Sequence, residues 1–277
     1  MRHEKTVDEF CSIFQGAIDE KVLQDSLCSI SAPIPYKGLV FYPVKARYYQ
    51  FFSIVSSVLH STKYDSGLPQ CMGMNMLQFL FYQSEDGKIN NANVFLPLLQ
   101  ILLETCLQIP HLNEDGDENI GFWKDGKKCY IKIMGKNYDY RDYENMRELI
   151  AKQNAIELVD YSIHPDVRRL IEEKKRLRAA SNGTKVGTFE ELVDSLMIVT
   201  GQTEDFILEL PIRRFINLIQ RYDIVLSYEL TTLLSPYIDK KDKGKTIKWN
   251  GNIPKEDYFY SNVQKASALE NKLKSIQ

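Results

Sequence analysis

The sequence predicts a mainly α-helical fold of the α+β class: a helical bundle carrying one β-hairpin, followed by a smaller all-helical domain. Three observations carry that expectation. Apolar residues recur at three- and four-residue intervals through most of the long segments, the period of an amphipathic helix. One dipeptide, Asp125-Gly126, sits between strand-forming residues and supplies the positive φ of a tight hairpin turn. A charged stretch closed by Ser181-Asn182-Gly183 and the linker GTKVG divides the 277 residues, a length that accommodates two modest domains. The expected division is an N-terminal helical domain over 1–160 with the hairpin at about 120–134, a charged helix and linker over 161–187, and a C-terminal helical domain with a polar tail over 188–277.

The elements follow in order. Val7, Phe10, Cys11, Phe14, Ile18, Val22 and Leu23 place a first amphipathic helix over roughly 5–29. SAPIPYKG then fixes an extended turn, and LVFYPV begins as a short strand that becomes helical past Pro43. Tyr48, Phe51, Phe52, Val55, Val58 and Leu59 form one wide apolar face, and MGMNMLQFLFYQ and NVFLPLLQILLETCLQI are further apolar segments of helical length. The hairpin has Phe122, Trp123, Tyr130, Ile131 and Ile133 on its two arms, and Tyr143, Met146, Leu149 and Ile150 then mark a helix. In the second half, Thr188 and Glu191 fit a capping box, Gly201 ends that helix, and Thr203 caps a short one whose first turn carries Glu204 and Asp205. Pro211 starts a third helix with Ile212, Phe215, Ile216, Ile219 and Tyr222 inward and Arg213, Arg214 and Arg221 elsewhere.

Composition narrows the function classes. With 44% hydrophobic residues, 26% charged residues and a formal net charge of −2, there is no global field drawing the chain to nucleic acid or an anionic membrane. No apolar run reaches the ~18 residues of a membrane span, and MRHEKTVDEF is charged where a signal peptide turns apolar. The expected location is therefore the cytoplasm, with no membrane partner. Cys11, Cys28, Cys71, Cys106 and Cys129 are odd in number and widely spread, which fits buried thiols and no metal site.

No spacing announces catalysis. His3, His60, His111 and His164 lie at the terminus or near helix ends and turns, where a surface or capping role is the commoner explanation. The acidic run NEDGDEN, 113–119, fails as a calcium loop because neither starting register puts Gly at the sixth position and Glu at the twelfth, so it is read as a solvated turn. There is no phosphate-cradling glycine loop. The expectation is a non-enzymatic protein without catalytic residues, metal or cofactor.

The basic helix 164–179 is the one stretch that invites a partner. Arg168, Arg169, Lys174, Lys175, Arg176 and Arg178 face Asp166, Glu172 and Glu173, a local excess of +3. Much of that charge pairs at i to i+3 and i to i+4 along the helix, so a solvated connector outweighs a nucleic-acid grip. With Arg213 and Arg214 these six are the candidate partner-binding residues. A helix-turn-helix over 188–222 is disfavoured because FILEL is apolar where a recognition helix is polar.

Five stretches, GLVFYPVKARYYQFFSIVSSVL, MNMLQFLF, the hairpin-helix with IAKQN, IHPDVRRLIEEKKRL and PIRRFINLIQRYDIVLSYEL, resemble in order and spacing proteins of the tail-morphogenesis region of phages that infect Gram-positive bacteria. The resemblance is to tail-assembly chaperones. It implies a role in the cytoplasm of the infected host, coating the tape-measure protein and recruiting tail-tube subunits, and it is compatible with a homo-oligomer. It transfers no catalytic residue. The alternative is a nucleic-acid-binding phage regulator that uses helix 164–179.

Overall fold

The computed structural model describes residues 20–61, 63, 69–84, 87, 89–158 and 188–234, with 166, 167, 170 and 173. The expected helix before residue 20, most of the charged helix and linker over 161–187, and the polar tail after 234 lie outside the described residues. The described chain is mostly helical with two small antiparallel sheets. It divides into two compact units, one of Met1–Val159 with Val193–Ile216 and one of Asp160–Leu192 with Asn217–Gln277. The first unit thus takes in 193–216.

In the first unit, α1 (Glu20–Ile30) leads into a hairpin of β1 (Ile34–Tyr36) and β2 (Leu39–Phe41). Lys37 and Gly38 turn it with φ of 46° and 86°, the two positive values a type I′ turn requires. A single helical turn at Ala46–Tyr48 precedes α2 (Tyr49–Val55) and α3 (Ser57–His60). The break at Ser56 divides what the apolar pattern reads as one helix. Phe52, Val55, Val58 and Leu59 are buried, whereas Tyr48 and Phe51 of the same expected face are exposed, because the face is wider than the surface it packs on.

Asn75 and Gln78 form a capping box at the start of α4 (Met76–Leu80). Helix α5 (Asn91–Leu107) continues through Pro97, whose exposed position leaves the carbonyl it cannot serve within reach of water. The second sheet has the order β3 (Ile120–Asp125), β4 (Lys128–Ile133), β5 (Lys136–Tyr138). Ile120, Ile131 and Ile133 are fully buried, so the inner face packs on α4, α5 and α6 (Tyr140–Gln153). The β3–β4 turn is Gly126-Lys127, since Asp125 still pairs with Lys128; only Gly126 has positive φ, at 57°, which is the type II′ arrangement one residue on from the expected Asp-Gly centre.

Helix α6 pins the unit. Of its buried residues Asp142, Arg147 and Gln153 are polar, and Asn154 follows as its C-cap. Each meets main-chain or charged groups of a different segment. Arg147 donates from Nε and Nη2 to the carbonyl of Leu59 at 3.0 and 2.7 Å, capping the four-residue α3. Gln153 donates to the carbonyls of Ala32 and Phe41, both at 3.0 Å, and Asn154 accepts from the Val44 N–H at 2.9 Å. IAKQN therefore closes the loose backbone on either side of the first hairpin.

The segment 193–216 completes this unit through α8 (Glu204–Glu209) and the start of α9 (Ile212–Leu234), while α7 (Phe189–Thr200) ends at Gly201 with φ of 65°. Ala46 N–H donates to the Leu210 carbonyl at 2.7 Å and Ile212 N–H to the Val44 carbonyl at 2.8 Å, so 44–46 and 210–212 lie as a short antiparallel bridge. Thr203 caps α8 by accepting from Phe206 N–H at 3.3 Å. In the second unit, Thr188 and Glu191 make their reciprocal capping box at the start of α7. Residues 217–234 continue α9, with Ile224 turned inward and Leu226, Leu230 and Leu233 exposed.

Candidate functional site

Two features of the first unit present chemistry to solvent. The first is a pocket of about 330 Å³ between the Tyr49–His60 side of α2 and α3, the turn after α6, and Ile212 and Ile216 of α9. Its floor is aromatic and aliphatic, with Tyr49 tilted against Phe215 at 6.3 Å between ring centres. Its polar groups are His60, Glu157, Ser53, Ser56 and Asn154. Partial burial and the Arg147 guanidinium push the His60 imidazole below the ordinary histidine value, while Glu157 pulls the other way. The imidazole is then neutral at pH 7. Ser53 donates to the Gln50 carbonyl at 2.7 Å and Ser56 to the Ser53 carbonyl at 3.3 Å, so both hydroxyl protons are committed to main chain rather than to His60. One wall is Ala155, held at φ of 57° where α6 ends.

The second feature is an exposed apolar surface. Tyr48, Phe51 and Ile54 emerge on one side of α2 and the turn before it, with exposures of 50%, 46% and 64%. Helix α8 packs on that turn, held by ion pairs from Glu209 to Lys45 and to Arg47, and its Phe206 is half exposed. These pairs hold the Glu209 carboxyl below the usual range, the hydrogen bond from Lys45 contributing most. The surface is thus flanked by two cations that share one carboxylate. Ile198 and Val199 of α7 are exposed apolar residues of the same unit.

Two of the eight candidate partner-binding residues lie among the described residues. Arg168, Arg169, Lys174, Lys175, Arg176 and Arg178 lie outside the described residues. Arg213 donates to the Lys152 carbonyl, tying the first turn of α9 to the end of α6, and Arg214 is exposed. Of the histidines, His60 lines the pocket and His111 bonds Glu104 at 2.8 Å, with Glu118 at 4.0 Å. The Glu104 bond raises the His111 pKa. The acidic run is a closed turn in which the Asn113 side chain accepts from the N–H groups of Asp115 and Asp117 at 2.9 and 2.8 Å. Cys28, Cys71, Cys106 and Cys129 are buried free thiols, Cys106 pushed up to about 12 by burial. Among the described residues no cluster of His, Cys, Asp and Glu could hold a metal ion, and no helix is long and apolar enough to cross a membrane.

Sequence reasoning placed Trp123 and Tyr130 as strand formers and went no further. They are directly opposed on β3 and β4 and stack with ring centres 4.6 Å apart and planes 19° apart. The signal was present in KKCYIKI, where lysine, tyrosine and lysine alternate with the buried residues. No family model, curated protein or solved structure matches this chain.

Proposed function

We infer that the protein is a non-enzymatic assembly factor that binds an apolar segment of another protein, and that it serves phage tail morphogenesis as a chaperone of the tape-measure protein and tail subunits. The reading takes the first half of the chain as a bundle bearing the hairpin and the remainder as a smaller helical domain. The observation that carries it is the exposed apolar surface of Tyr48, Phe51 and Ile54 on α2 and the turn before it. Aromatic side chains at a surface supply large contact area at low entropic cost, and they are enriched where proteins bind one another. Exposed apolar side chains grouped in this way mark an interaction site. Because Lys45 and Arg47 both pair with Glu209 beside it, leaving only one net positive charge, the partner it fits is an apolar helix face rather than a charged strand. The tail-assembly role rests on the resemblance, and the surface supports the protein-binding part of it.

Co-expression with the tape-measure protein of the same gene cluster tests this. The two should co-purify, and Tyr48→Ser with Phe51→Ser should abolish the complex while leaving the thermal midpoint within about 3 °C, as expected for exposed positions. A failure to associate, or a complex indifferent to both substitutions, overturns the assignment.

A further inference from the structure

The outer face of the three-stranded sheet carries a second recognition surface. Register fixes which side chains share it. Ile120, Ile131 and Ile133 are buried on the inner face, so Trp123, Tyr130, Lys128, Lys132, Gly121 and Asn137 belong to the outer one. Tyr130 lies between Lys128 and Lys132, each two residues and about 7 Å away along β4. Trp123 stacks on Tyr130, and its indole N–H donates to the Asn137 side chain at 3.2 Å. Asn137 is on β5, so the indole reaches across the central strand and is held at both ends. It remains 40% exposed.

The charge is one-sided. Over 120–138 five lysines stand against a single acid, Asp125. Lys136 turns toward the first hairpin, where its Nζ is 3.1 Å from the position a Cβ on Gly38 would take, and it leaves the outer face. Lys128 and Lys132 flank the aromatic pair on this face and Lys127 sits in the hairpin turn, whereas Lys124 opposes the buried Cys129 and belongs to the other face, and Asp125 opposes Lys128. The acids of the 113–119 turn precede β3 and lie at the far end of the sheet from that tip.

We propose that this face binds single-stranded nucleic acid, a base stacking on Trp123 while Lys128, Lys132 and Lys127 contact phosphates. A fixed aromatic plate between cations is what an unpaired strand requires, because every base has a π-face and every linkage a negative charge. A duplex hides its bases in the stack and cannot use the plate. The plate is ordered before binding, so little conformational entropy is lost. This function is independent of the protein-binding surface on α2 and the turn before it.

The test is fluorescence anisotropy of the full chain with labelled single-stranded DNA and RNA of about 15 nucleotides, within the range such sites occupy. The tighter of the two identifies the natural strand. Trp123→Ala should weaken binding at least about fivefold, and Trp123→Phe, which keeps a stacking ring, should stay within about twofold of the wild type. Lys128→Gln with Lys132→Gln should reduce the slope of log K against log salt by roughly 1.4, about 0.7 per lost phosphate contact. Should Trp123→Ala fail to fold, the Trp123→Phe and lysine variants carry the test. The proposal is overturned by no binding at low salt, by equal affinity for blunt duplex, or by a salt slope unchanged in the lysine variant. It is equally overturned if binding is lost only when Arg168, Arg169, Lys174, Lys175, Arg176 and Arg178 are neutralised, which would place nucleic acid on the basic helix instead.

Discussion

Replacing Arg147 by methionine keeps the apolar stem and removes the guanidinium that caps α3. Among the described residues three donations are lost: two onto the buried Leu59 carbonyl and one to Glu144 at 3.4 Å. Hydrogen bonds involving a charged group contribute about 1.5–3 kcal/mol, and a buried carbonyl left unpaired costs about 1–3 kcal/mol. The bonds to Leu59 and the orphaned carbonyl describe one event, so the expected loss is about 3 kcal/mol. For a chain of this size that lowers the thermal midpoint by roughly 6–12 °C. The pH dependence is the sharper signature. Burial raises the Glu144 carboxyl and Arg147 pulls it down, so the variant raises it further. A carboxyl whose folded pKa exceeds its unfolded value gives stability that is present at acid pH and lost as pH rises through the folded value. Burial lowers His60, and Arg147 lowers it further. Removing the guanidinium relieves part of the cost of protonating His60 in the folded state. Both effects make the penalty smaller at pH 5 than at pH 8. Urea unfolding of wild type and variant at the two pH values measures it. An equal penalty at both, or a larger one at pH 5, refutes the electrostatic part of the reasoning, and a midpoint shift under 2 °C refutes the cap.

Ala155→Gly should stabilise the protein by about 0.5–1 kcal/mol, since the left-handed backbone there is strained for alanine and free for glycine, offset by glycine's looser unfolded chain; a lower thermal midpoint would contradict the assigned conformation. Proton NMR titration, with His60→Ala and His111→Ala for assignment, should place His111 above the free histidine value and His60 below it. His111 is exposed, and the stability it lends is present below its unfolded pKa and fades as pH rises through the raised one. The reverse order of midpoints would refute the Glu104 bond.

The helices and their ends were legible because capping chemistry is local. Thr188 with Glu191, Thr203 and Gly201 act where their spacing places them. The turns were less so. Lys37-Gly38 and Met134-Gly135 both take positive φ at two residues, yet neither Lys nor Met advertises it, and β1 and β5 went unread for that reason. Asp125-Gly126 advertises a turn strongly, but pairing extended one residue further and left glycine first in the loop. Partner surfaces were the least legible. Periodicity marks Tyr48 and Phe51 as apolar without saying whether a neighbour covers them, since that depends on segments far away in sequence. The polar roles of α6 were hidden for the same reason: Arg147, Gln153 and Asn154 look like ordinary surface residues until the backbone they serve is brought to them.

The short bridge between 44–46 and 210–212 sets a timetable for synthesis. Val44 and Ala46 wait for main-chain partners that emerge from the ribosome on the order of ten to thirty seconds later, at roughly 5–20 residues per second. During that interval the Val44 carbonyl and the Ala46 N–H stand without their main-chain partners. A truncated chain ending before Leu210 would leave those two main-chain groups without their partners for good, so a premature stop in the second half weakens the first half of the chain as well.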